Sequence, residues 1–105
     1  MTKSDILIGR KNQYIRCRNK AQEVANYLSQ AMNKTNEIIE KQNQAYLIDE
    51  ESPVKNQLAD LYQQQKNIYD NIINNIIPNT NIIINNLNTQ ITDAKQEEAM
   101  QMLNE

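Results

Sequence analysis

The hydrophobic and polar residues of this chain repeat with helical spacing along almost its whole length. In the first half, apolar or neutral residues recur at alternating intervals of three and four, which is typical of a coiled-coil seam. A neighbouring row, Ala25, Met32, Ile39 and Tyr46, widens this stripe on one side. The predicted seam consists of Tyr14, Cys17, Ala21, Val24, Leu28, Ala31, Thr35, Ile38, Gln42 and Ala45.

Residues 71–88 consist almost entirely of isoleucine and asparagine, with Pro78 in the middle. The isoleucines come in doublets, which excludes the period-two alternation of a strand. On a helical wheel all of them except Ile82 fall in one arc, and the asparagines fall outside it. Because this apolar phase carries across Pro78, the sequence predicts one continuous helix with a kink there. A break, with a new helix beginning near Thr80, is the alternative. The predicted inner stripe of the second half is Leu58, Tyr62, Gln65, Tyr69, Ile72, Ile76, Thr80, Ile83, Leu87, Ile91 and Ala94.

The predicted helix ends divide the chain at its midpoint. Ser4 is a candidate N-cap, with Asp5 in the first turn. The segment 49–53, Asp-Glu-Glu-Ser-Pro, is a turn followed by a helix start with Pro53 at the first helical position. We therefore predict a single all-α domain over 1–105: a helix over about 4–48, a turn over about 49–52 and a helix over about 53–103. These two helices would form an antiparallel hairpin.

Both apolar stripes are wider than a two-stranded seam requires. A second hairpin would cover the surplus, so we expect a four-helix-bundle dimer, formed with a second copy or with another helical protein. On this interpretation an Ile76→Asp substitution would bury an unpaired charge. The residues predicted to form the partner interface are Leu28, Met32, Ile39, Tyr62, Tyr69, Ile72, Ile73, Ile76, Ile83 and Leu87.

The composition offers little for catalysis. The chain has no histidine and one cysteine, Cys17, whose seam position predicts packing rather than thiol chemistry. The acidic residues Asp93, Glu97 and Glu98 are interpreted as a charged terminal face, so we predict no enzyme, no metal site and no cofactor. Residues 1–41 carry eight Lys/Arg and four Asp/Glu, and residues 42–105 carry three and nine. The basic N-terminal cluster is interpreted as a solvated face balanced by the acidic half, not as a nucleic-acid site.

The sequence contains neither an early apolar run long enough for a signal peptide nor one long enough for stable membrane insertion. A protein of 105 residues with two long helices and a mid-chain turn resembles the ESAT-like, or WXG-type, helical hairpins of type VII secretion. The amino-acid composition, rich in Asn, Ile and Lys, is similar to that of the Esx proteins of the Firmicutes ESS system. Two motifs of that family are absent: the Trp-Xaa-Gly turn has no counterpart at 49–53, and no Tyr-Xaa₃-Asp/Glu signal follows Tyr69.

The resemblance implies a non-enzymatic, virulence-associated protein. It would be made in the cytoplasm and secreted without a cleaved signal peptide. Its partners would be another hairpin or an effector's helical domain, together with the secretion machinery. The alternative is an intracellular coiled-coil scaffold, or a structural protein of a phage or of a needle-like assembly.

Overall fold

A computed structural model describes residues 1–44 and 53–104, and within these ranges only Met1, Thr2 and Asn104 lie outside helices. Helix α1 spans Lys3–Gln44 and helix α2 spans Pro53–Asn71. A π-helical turn, Ile72–Ile76, follows α2 directly and leads without a gap into α3, Ile77–Leu103. The prediction of an all-α protein is confirmed. The turn predicted over about 49–52, and the helix end predicted near 48, lie outside the described residues.

The N-cap of helix α1 lies two residues before its predicted position, and the helix itself begins at Lys3. The backbone N–H of Asp5 donates to the Thr2 hydroxyl at 3.2 Å, and the Thr2 N–H donates to the Asp5 carboxylate at 3.2 Å. This reciprocal pair is a capping box with aspartate in the usual glutamate position. Thr2 is therefore the N-cap, and the assignment of that role to Ser4 is wrong.

The chain folds as two compact units, Met1–Ala21 with Ile76–Glu105 (unit 1) and Gln22–Asn75 (unit 2). In unit 1 the start of α1 packs against α3. The Ser4 hydroxyl and backbone N–H both donate to the Glu98 carboxylate, at 2.8 and 3.0 Å, and Arg18 donates to Asn81 at 3.2 Å. Since Ser4 meets the end of α3 and Arg18 meets its start, the two helices are antiparallel. The unit 1 core consists of Leu7, Leu87, Ile91 and Ala94, with Ile8 packed against it.

In unit 2 the remainder of α1 packs against α2. The hydroxyl of Thr35, which is buried, lies 2.9 Å from the Ala31 carbonyl and 3.0 Å from Gln65 Oε1. If the two helices were parallel, this contact would place Gln44 and Pro53 more than about 30 Å apart. That distance is close to the greatest that eight connecting residues can span when fully extended. An antiparallel pair brings these two helix ends close together. The hairpin-like character expected from the sequence therefore holds within each unit.

The inner face of α1 differs in part from the predicted seam. Ala25 is buried and Met32 and Ile39 are half-buried, whereas Val24 and Ile38 are 42% and 47% exposed. The inner stripe therefore combines the neighbouring row with half of the predicted seam, since Ala21, Leu28 and Gln42 are half-buried and Thr35 is buried. Cys17 is exposed, so its predicted packing role in the seam is wrong.

The inner face of the second half matches the predicted stripe except at Ile76 and Ile83, which are exposed. Before the turn, the predicted positions Leu58, Tyr62, Gln65 and Tyr69 are half-buried and Ile72 is buried. After the turn, Thr80 is half-buried and Leu87, Ile91 and Ala94 are buried, as predicted, but at two predicted positions the inner residue is the next one along the chain. The buried residue is then Ile84 rather than Ile83, and Ile76 is 42% exposed. An aspartate at position 76 would reach water within this chain, so its charge would be buried only in a complex with a partner, and the predicted effect of Ile76→Asp stays a prediction.

The π-helical turn explains this shift of one residue. Inner residues in the second half follow three-four spacing except between Ile72 and Ile77, where five residues separate them. A π-helical turn, with its i→i+5 hydrogen bonds, accommodates one extra residue in a helix. Pro78 lies in the first turn of α3, where its missing N–H is best tolerated. A helical wheel at 100° per residue does not contain this extra residue, and it assigned Ile76 and Ile83 to the inner face in place of Ile77 and Ile84.

Candidate interaction surface

In unit 2, both α1 and α2 carry a second row of aliphatic side chains beside the inner stripe. Every member of this row immediately precedes an inner residue, as Val24 precedes Ala25 and Leu61 precedes Tyr62. The members are seven residues apart on each helix, so they line up along the helix axis. We call this row in unit 2 the lateral stripe; it consists of Val24, Ala31, Ile38, Val54, Leu61 and Ile68.

The two helices present their parts of the lateral stripe on the same flank. Two antiparallel helices are related by a local two-fold axis perpendicular to the plane that contains them. Rotation about this axis exchanges the helices but keeps each side of the plane in place. Residues at the same heptad position on the two helices therefore lie on the same flank. Unit 1 shows this geometry directly, since Lys3 Nζ lies 3.9 Å from Glu97 Oε2 and both residues immediately precede an inner residue. The lateral stripe of unit 2 is therefore one apolar face built from α1 and α2.

The lateral stripe is the most solvent-exposed aliphatic surface of unit 2. Its five larger side chains are between 42% and 53% exposed, and Ala31 is half-buried. No residue of α2 is buried, although three of its aliphatic side chains belong to the stripe. The exposed parts amount to roughly 400 Å², a size at which apolar patches mark interaction sites.

The edges of the lateral stripe differ between the two helices. Along α1 the bordering side chains are Tyr27, Lys34 and Lys41, again seven residues apart, and all are exposed. Tyr27 is 63% exposed. Along α2 the bordering positions carry only neutral amides, which are Gln57, Gln64 and Asn71. The surface is thus aliphatic in the middle, cationic and aromatic on one edge, and neutral on the other.

The residues predicted to form a partner interface occupy different environments. Ile72 and Leu87 are buried within their own units, while Ile76 and Ile83 are 42% and 38% exposed. Six others are half-buried beside or along the inner stripes: Leu28, Met32, Ile39, Tyr62, Tyr69 and Ile73. The prediction did not include Val24, Ile38, Val54, Leu61 or Ile68. Their seven-residue spacing is visible in the sequence and could have indicated them.

The side chains that could bind a metal ion are dispersed in the described part of the chain. The described residues contain no group of three or more Cys, Asp or Glu side chains placed to hold a metal ion. The exposed Cys17 lies beside Arg10, Gln13 and Tyr14 in an open groove of about 400 Å³ formed by α1 alone. No helix in the described part of the chain combines the length and apolarity needed to cross a membrane.

Among the described residues, Asp5 and Lys66 have shifted pKa values, and both side chains are exposed. Hydrogen bonding by the Thr2 side chain, and then by its backbone N–H, holds the pKa of Asp5 below its ordinary value. The hydrogen bond from Lys66 to Asp70, at 2.9 Å, raises the pKa of the lysine. These shifts arise from local pairs within one helix end and one helix turn, and they identify no acid–base site.

Comparison with known proteins identified no relative. No family model, curated protein or solved structure matches this chain.

Proposed function

We propose that this chain is a non-enzymatic helical protein that acts by pairing with another helical protein through the lateral stripe of unit 2. The observation that carries this proposal is helix α2, which has no buried residue yet presents Val54, Leu61 and Ile68 to solvent at seven-residue spacing. A helix of that length gains most of its stability from packing one apolar face. Packed on α1 within unit 2, these three side chains of α2 remain between 43% and 53% exposed.

The size of the stripe supports a specific protein interface. A standard interface buries about 800 Å² on each partner, a little over half of it apolar. The roughly 400 Å² of exposed aliphatic surface in unit 2 supplies about that apolar share. A partner that packs its own helices on this flank would complete a four-helix bundle, in which each helix has two neighbours.

We further propose that this pairing serves type VII secretion, as an exported factor or as the partner of an exported effector. The support is the sequence resemblance to the ESAT-like hairpins in length, helical content and mid-chain division. The missing Trp-Xaa-Gly and Tyr-Xaa₃-Asp/Glu motifs fit a divergent member that relies on a partner for those signals.

Site-specific photo-cross-linking tests the pairing. A photoreactive amino acid at position 68 should give a covalent adduct with a helical protein in the producing cells, identified by mass spectrometry. The matched control is position 82, because Ile68 and Ile82 are 53% and 57% exposed but Ile82 lies away from the stripe. Equal labelling from both positions, or no adduct from either, would contradict the proposal.

Export is tested separately. The chain should appear in the culture medium only when the type VII secretion ATPase is functional. A chain that stays in the cells while other substrates are exported would favour the intracellular scaffold instead, and would leave the pairing proposal untouched.

A further inference from the structure

We infer that the partner on the lateral stripe is a helical protein with an acidic edge, and not a second copy of this chain. This inference rests on the proposed pairing function and specifies the chemistry of the partner. It follows from the charges that border the stripe on its two sides.

The α1 edge of the stripe is cationic. Lys34 lies one helical turn from both Ala31 and Ile38, and Lys41 lies one turn beyond Ile38, so both ammonium groups border the aliphatic surface. Neither lysine takes part in an ion pair within the described part of the chain. The nearby acids Glu37 and Glu40 lie farther around α1, on its outward face. A partner packed on the stripe would therefore meet two exposed lysines, neither of which is paired with a carboxylate of the described residues.

Tyr27 continues the same edge and adds an anchor. It is 63% exposed and lies one turn from Val24. Tyrosine is enriched among residues that dominate binding energy, because it buries a large ring at little entropic cost and keeps a polar tip. The edge thus combines one aromatic and two cationic contacts with regular spacing along a single helix.

A second copy of this chain would not complement that edge. Its own stripe is bordered by the same lysines on α1 and by Gln57, Gln64 and Asn71 on α2, so lysines would face lysines or neutral amides. Asp60 lies one position farther out on α2, and Asp70 is already bound to Lys66 at 2.9 Å. Like charges placed opposite each other disfavour a pairing, and rim charges mainly set partner choice.

The complementary partner has a defined pattern. It carries aliphatic residues at heptad spacing, to fill the lateral stripe, and Glu or Asp at the flanking position that faces Lys34 and Lys41. Carboxylates in this place act as e and g residues do in coiled coils, where they select the partner and its orientation.

Two synthetic helices provide the test. Both have about four heptads of identical Leu/Ile pattern; one carries Glu at the flanking positions and the other carries Lys. Binding to the full-length chain is measured by fluorescence anisotropy at low and high salt. The Glu helix should bind about tenfold more tightly than the Lys helix at low salt, and the difference should shrink as salt is added.

Charge reversal in the protein provides the decisive control. The double variant Lys34→Glu/Lys41→Glu should reverse the preference and bind the Lys helix better. Arg16→Glu, which changes an exposed charge on the outward face of α1, should leave the preference as it is. Ile68→Asp should weaken binding of both helices, whereas Ile82→Asp should not.

Sedimentation of the chain alone completes the experiment. The chain should remain monomeric at concentrations where the Glu helix is bound. Equal affinity for both helices, no binding of either, or self-association that is lost on Ile68→Asp would overturn the inference. Self-association that is lost on Ile68→Asp would still agree with the pairing function, with a second copy as the partner. The inference about an acidic partner can therefore fail while the pairing function stands.

Discussion

Three consecutive isoleucines show how strongly a residue's environment depends on its position around the helix. Ile82, Ile83 and Ile84 are 57%, 38% and 5% exposed, although they are chemically identical and adjacent. Each step of about 100° carries a side chain from solvent to flank to core. Residue type alone therefore says nothing about which of the three stabilises the fold.

Alanine substitution of these isoleucines should separate their roles. Ile84→Ala should lower the free energy of unfolding by about 2–4 kcal/mol, because it removes a buried side chain and leaves a cavity. Ile82→Ala should change it by less than about 0.5 kcal/mol, since most of the side chain is already in water. Urea denaturation followed by circular dichroism measures both values. Similar losses at the two positions would contradict the assignment of the inner stripe.

Two adjacent glutamates make a second comparison. Glu98→Ala should destabilise the protein by about 1–3 kcal/mol, because Ser4 is buried and would lose the acceptor for both its hydroxyl and its backbone N–H. Glu97→Ala should cost under about 0.5 kcal/mol, since its contact with Lys3 is exposed and long. The same denaturation measurement applies. A larger loss of unfolding free energy for Glu97→Ala than for Glu98→Ala would contradict the Ser4–Glu98 contact between the start of α1 and the end of α3.

The capping box at the start of α1 predicts a pH dependence. The folded pKa of Asp5 lies below its ordinary value of 3.8, so its stabilising contribution is complete above that value and is lost as the pH falls through the lowered pKa. NMR titration of the Asp5 carboxyl should give a midpoint below that of an unfolded peptide. Thr2→Ala should move the midpoint back towards 3.8. An unchanged midpoint in this variant would exclude Thr2 as the cause.

At the scale of elements, the π-helical turn is the feature that the sequence pattern did not reveal. The Ile/Asn tract correctly indicates an amphipathic helix, because doublets of two residue types fit a helical period and not a strand. The isoleucines come in pairs, however, so either member of a pair could face inwards. The sequence pattern therefore does not distinguish two inner stripes that differ by one residue. Pro78 suggested a kink or a break; the structure places a widened turn before it, at Ile72–Ile76.

Removing the extra residue tests this explanation. Deletion of Asn75 combined with Pro78→Ala should convert the π-helical turn to α-helix, because the inner residues on either side would then be four apart instead of five. Backbone chemical shifts should report uninterrupted α-helix from α2 into α3, with no loss of thermal stability. Deletion of Asn86 is the control, since it lies outside the turn and would move the inner residues of α3 out of phase. Equal damage from both deletions would contradict the explanation.

At the scale of the whole molecule, the described residues bury few side chains. Nine are buried, and these include two alanines together with Ser4 and Thr35. Thr35 and Gln65 form a polar contact between the helices of unit 2 where an apolar pair would stabilise more. Polar groups at such positions commonly specify helix register at a cost in stability. The unbound chain should therefore unfold with a free energy at or below the low end of the usual range, about 5 kcal/mol.

Partner binding should raise that stability. A ligand that binds only the folded state raises the melting temperature with its concentration. Thermal scans of the full chain should show a melting temperature that increases with added Glu-edged helix and much less with the Lys-edged helix. Ile68→Asp should abolish this increase, and Ile82→Asp should retain it. A melting temperature that does not respond to the Glu-edged helix would argue against coupling between the stripe and the fold.

The sequence by itself determined the helical class, the amphipathic character of both halves and the presence of more apolar surface than one helix pair can cover. These follow from local periodicity and from the scarcity of helix-breaking residues, which every short segment expresses independently. The tertiary structure decided which row of each helix faces inwards and which remains outside. That choice depends on an extra residue absorbed by the π-helical turn and on contacts such as Ser4–Glu98 and Thr35–Gln65, whose members are 94 and 30 residues apart. A shift of one row changes the local periodicity very little, so only long-range packing distinguishes the core from the exposed lateral stripe.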